Sequence, residues 1–110
     1  MAYDEDLANR LRELLAGEQG ITERKMFGGL AFLLDGHMTL SASGAGGLLA
    51  RVDPEDEDVL AQPHVEPMVM RGRAMDGWLR VAPEAVGTDE ELAGWVRRSV
   101  GYVRTLPPKR

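Results

Sequence analysis

The chain has 110 residues, 44% of them hydrophobic and 28% charged, with 13 Gly and 6 Pro. That composition fits one globular core and argues against a collagenous, disordered or two-domain chain. The absence of cysteine excludes disulfide frameworks, Cys-ligated zinc, iron–sulfur clusters and thiol nucleophiles, and fits a reducing cytoplasm. A net charge of −5 argues against a constitutive nucleic-acid coat protein, although it leaves room for a local basic patch.

Met1 to Asp6 is acidic where a secretory signal needs a basic start, and no apolar run reaches the roughly 18 residues of a membrane span. Asp4, Glu5 and Asp6 precede Leu7, Leu11, Leu14 and Leu15, a spacing that predicts a helix over 4–16 with Gly17 at its C-terminal stop. From Ile21 to Val52, short apolar runs broken by glycine predict an antiparallel meander. Its strands are Arg24–Phe27, Leu30–Leu34, Met38–Ala42 and Leu48–Val52, with Gly28-Gly29 as a bend and Asp35-Gly36 as a two-residue hairpin turn.

Asp53-Pro54 and the acids behind it predict a short helix to about Gln62. Two further strands, Met68–Arg71 and Gly77–Val81, follow a Pro63/Pro67 loop and are joined around Gly72 to Asp76. The Thr88-Asp89-Glu90-Glu91 capping box then opens a closing helix, with Leu92, Trp95, Val96, Ser99, Val100 and Val103 on one stripe. The order predicts an α+β domain over 1–106: an antiparallel sheet of about five to six strands, packed by an N-terminal and a C-terminal helix, with a short helix inserted mid-chain. Residues 107–110 read as a loose tail.

Catalytic and metal constellations are sparse. His37 sits at a hairpin tip and His64 in a Pro-flanked loop, without a spacing that sets two imidazoles on one metal. A histidine beside a deep pocket and a carboxylate would be needed to favour an enzyme. Ser43-Gly44-Ala45-Gly46-Gly47 lacks the Gly-Lys-Ser/Thr and helix of a phosphate loop, and the carboxylates gather at predicted helix starts. The reading contains no cofactor, no metal and no catalytic residue. Arg24, Lys25, Arg51, Arg71, Arg73 and Arg80 instead fall in or beside predicted strands, where alternation can align several on one face. Met26, Met38, Met68, Met70 and Met75 accompany them.

Arg24-Lys25-Met26-Phe27-Gly28-Gly29-Leu30-Ala31-Phe32-Leu33-Leu34-Asp35-Gly36 resembles the N-terminal domain of the TfoX/Sxy family of bacterial competence regulators, whose hallmark is Met-Phe-Gly-Gly. The likeness continues through Leu48 to Asp53, Met70–Arg73 and Gly77-Trp78-Leu79. It implies a small α+β domain of secretion-chaperone-like topology without established enzymatic activity. In the family's competence regulators this domain is joined to a C-terminal helical domain and acts with a cyclic-AMP receptor protein at competence promoters; the length of this chain holds the first domain.

The expectation is therefore a cytoplasmic, non-catalytic regulatory domain that meets a protein partner, including a second copy of itself, through its sheet face and the Met26-Phe27-Gly28-Gly29 bend. The alternative is a nucleic-acid-binding domain using the arginine-bearing face.

Overall fold

The computed structural model describes residues 4–26, 28–44, 46–55, 58–59, 62–70 and 72–107, with Met26, Met70, Met75 and Asp76 described as backbone only. Helix α1 runs Glu5–Leu15 because Asp4 caps it: the Asp4 carboxylate accepts from the backbone N–H groups of Asp6 and Leu7. Leu7, Leu11 and Leu15 are buried on its inner stripe. The helix ends without the left-handed glycine expected at Gly17. Ala16 closes the last turn by donating to the Glu13 carbonyl, and the left-handed residue is Gly20, at φ +85°.

Strands β1 (Ile21–Met26), β2 (Gly29–Leu34), β3 (His37–Ala42) and β4 (Leu48–Arg51) form the expected meander. Asp35 and Gly36 both have positive φ, 51° and 87°, the geometry that matches a two-residue turn to the twist of its strands. The Gly28-Gly29 bend divides its requirements. Gly28 takes φ +76°, whereas Gly29 lies so close to β3 that an added Cβ would stand 2.3 Å from the Ala42 carbonyl oxygen.

The short helix expected from Asp53 to Gln62 is matched only by a 3₁₀ turn at 58–59, and residues 56, 57, 60 and 61 of that span lie outside the described residues. Asp53 accepts from the Glu55 N–H at 2.9 Å, the same contact that Asp4 makes with Asp6 at the start of α1. Val59, 1% exposed, is the described apolar anchor. The last hairpin is longer than expected: β5 (Val65–Met70) and β6 (Arg73–Val81) turn at Gly72, φ +78°. The segment read as a loop over 72–76 is mostly strand, with an irregularity opposite Pro67 to Val69. Gly77, at φ +82°, shapes it, and its carbonyl accepts from the Val52 N–H at 2.7 Å.

A 3₁₀ turn, Pro83–Val86, leads to α2, Asp89–Val103. The capping box is present in both directions between Thr88 and Glu91, and the buried residues of α2 are the six expected from its periodicity.

The six strands lie in the order β1-β2-β3-β4-β6-β5, with every neighbouring pair antiparallel. Register sorts the side chains. Leu30, Ala42, Leu48 and Val81 form one cross-strand row, and Phe32, Leu40, Ala50 and Leu79 the next. Both rows join the single core with the leucines of α1 and with Leu92, Trp95, Val96, Val100 and Val103 of α2. The two helices therefore share one face of the sheet.

Candidate functional site

Residues between those rows point away from the helices. One such row crosses the whole sheet: Arg24, Ala31, Ser41, Leu49, Arg80 and Glu66. Ala31, Ser41 and Leu49 are 0%, 2% and 6% exposed, so three buried residues lie between the two arginines. Arg24 and Arg80 are four strand steps apart, roughly 19 Å at the usual spacing.

Arg51, at the end of β4 directly opposite Trp78, reaches α2 instead of standing on the open face. Its guanidinium carbon is 5.6 Å from the Trp78 ring centroid and 5.9 Å from that of Tyr102 on α2. Stacking against ring faces leaves the in-plane N–H donors directed outward along the guanidinium plane. Sequence periodicity did not reveal these aromatic partners, because β4 pairs with β6 rather than with the strand that follows it in the chain.

The other cations expected at the site separate. Lys25 stands opposite Leu30, on the helix side of β1. Glu23 shares that side, where both its oxygens accept from Arg12 of α1 at 2.8 Å; this hydrogen bond, aided by the guanidinium charge, holds the Glu23 carboxyl below its ordinary value of 4.5 despite some desolvation. Arg73 is exposed at the far end of the β5–β6 hairpin, opposite Met70. Gly28 and Gly29 close the β1–β2 end, and Met26 contributes its backbone there. Phe27 and Arg71 lie outside the described residues.

The histidines behave differently from each other. The His37 ring nitrogen Nε2 is 2.7 Å from the Pro107 carbonyl, joining the β2–β3 hairpin to the segment after α2. His64, in the left-handed region at φ +64°, lines an open cleft of about 260 Å³ with Glu84, Glu91, Trp95 and Arg98. The Glu91 carboxylate already accepts from the Thr88 backbone and hydroxyl. Neither histidine pairs with a carboxylate among the described residues, and no group of three metal-ligating side chains occurs among them.

No helix among the described residues is long and apolar enough to cross a membrane. The family model for the TfoX N-terminal domain matches residues 13–102, which takes in the end of α1 from Glu13 to Leu15, the meander, the last hairpin and α2 up to Tyr102. No curated protein and no solved structure matches the chain.

Proposed function

This chain belongs to the TfoX N-terminal domain family, and we propose that it acts as a cytoplasmic, non-catalytic regulatory and protein-interaction domain. Its working surface is the sheet face opposite the helices, together with the β1–β2 end at Gly28-Gly29. The observation that carries this reading is the placement of Arg24 and Arg80 on that one face. Guanidinium groups presented from a rigid sheet suit recognition of an acidic protein surface, because their fork geometry matches carboxylates. Transcription or competence control is the process in which the family likeness sets such a contact.

The cleft at His64 supports catalysis less well. One of its carboxylates is committed to capping α2, and the imidazole has no orienting partner among the described residues.

The same two arginines favour a second reading, contact with a nucleic-acid backbone. One experiment separates the two: nuclease-treated and untreated lysates are passed over the wild type and over an Arg24→Glu/Arg80→Glu variant with an unchanged melting temperature. The protein reading expects a specific protein retained after nuclease treatment and lost with the variant. Retention that disappears with nuclease and falls with salt supports the nucleic-acid reading. No retention, or equal retention by both chains, overturns both.

A further inference from the structure

The two edges of the sheet are built differently. At one edge, β5 carries Pro67, which has no N–H to offer, and an irregular register between Pro67 and Val69; both features discourage another strand from pairing there. At the other edge, β1 has neither. It is six residues long and regular against β2, and Thr22, Glu23, Arg24 and Lys25 are all exposed. Among the described residues, no backbone hydrogen bond reaches the outer side of Thr22–Lys25.

We propose that β1 pairs antiparallel with β1 of a second copy, making one continuous sheet across a two-fold axis. Charged side chains usually protect an edge, but the order Glu23-Arg24-Lys25 complements itself. Residues directly opposite each other must lie on the same face, so Glu23 can meet Glu23, Lys25 or Ile21 of the other copy and cannot meet its Arg24. The register that centres Arg24 on the axis sets Glu23 against Lys25 twice, on the helix side. The neighbouring register, centred on Glu23, sets two carboxylates against each other and forms no opposite-charge pair.

Glu23 can accept this second partner. Arg12 takes one hydrogen-bonding direction at each oxygen, and a carboxylate has about four. The cost is a like-charged Arg24 pair on the open face, where long side chains can splay apart into water. The assembled dimer presents the two arginine faces on the same side. The inference stands on the edge of the sheet and does not depend on what binds the arginine face.

The test is sedimentation equilibrium from micromolar to millimolar protein, with amide hydrogen exchange at both extremes. The wild type is expected to reach twice its monomer mass, with concentration-dependent protection at Thr22–Lys25. Lys25→Glu, which sets carboxylates against Glu23 of the other copy, is expected to weaken the dimer by about tenfold or more. Glu23→Lys should do the same with two lysines, and the double exchange Glu23→Lys/Lys25→Glu should restore association. A wild type that stays monomeric at millimolar concentration overturns the proposal. So does a dimer without protection at β1, or one in which folded single and double variants associate equally.

Discussion

Replacing Gly29 by alanine tests the closest backbone approach in the sheet. The new Cβ would stand 2.3 Å from the Ala42 carbonyl oxygen, 3.1 Å from the Gly44 nitrogen and 3.3 Å from the Ala42 carbonyl carbon. All three are backbone atoms, so no side chain can swing aside. A carbon–oxygen contact needs about 3.3 Å, so β2 and β3 must separate by about 1 Å near the Leu30–Ala42 pair. Strain of about 1–3 kcal/mol and one or two weakened ladder bonds worth about 1 kcal/mol each together give about 3 kcal/mol. With an unfolding entropy of about 0.23 kcal/mol/K for 110 residues, the melting temperature should fall by about 13 °C.

Gly28→Ala provides the internal comparison. It has nothing within 4 Å of its added Cβ but holds φ +76°, and a left-handed alanine costs about 1–2 kcal/mol, or about 4–9 °C on the same entropy. Calorimetry on the two variants decides the matter. A Gly29→Ala protein melting within about 3 °C of wild type, or above Gly28→Ala, refutes the steric argument.

Two other measurements probe the helices. Thr88→Ala removes the side-chain half of the α2 capping box and should lower stability by about 1–2 kcal/mol, read as a shift in urea midpoint at constant slope, with Thr88→Ser close to wild type. Because the folded Glu23 carboxyl titrates below 4.5, its bond to Arg12 stabilises the protein above that pH, and the contribution is lost as pH falls through the folded value. Glu23 is 38% exposed at its side chain, so the effect is about 0.5 kcal/mol. Glu23→Gln should therefore be less stable than wild type at neutral pH and indistinguishable from it once both are acidified below the folded value.

Features governed by neighbouring residues were legible in the sequence. Asp4 and Thr88 cap the helices they precede, the stripe from Leu92 to Val103 is buried as its spacing requires, and Asp35-Gly36 turns as its residue types prefer. Features governed by distant partners were not. Gly77 reads as the start of a strand, yet it lies inside the longer β6 at an irregularity tied to Val52 across the sheet. The mid-chain acids read as a helix start, but a start needs a buried stripe behind it.

The candidate surface divides in the same way. Strand alternation predicts that the adjacent Arg24 and Lys25 diverge. That Arg24 and Arg80 share one face, four strand steps apart, depends on β4 pairing with β6 and leaving β5 outside, which no local pattern encodes. Trp78 and Tyr102 become partners of Arg51 for the same reason: one lies across that pairing and the other on the closing helix.

The clasp between α1 and α2 has a consequence for how the protein is made. Arg10 bonds Asp89 and Glu18 bonds Arg104, partners 79 and 86 residues apart, and the leucines of α1 share one core with the buried stripe of α2. The helix synthesised first therefore waits for the helix synthesised last. At about 5–20 residues per second, the greasy side of α1 spends roughly 4–16 s without its mate, beside a growing meander whose inner face is equally uncovered. A chain interrupted before Thr88 lacks the lid for that face, so a premature stop there should yield an aggregation-prone product rather than a smaller folded domain.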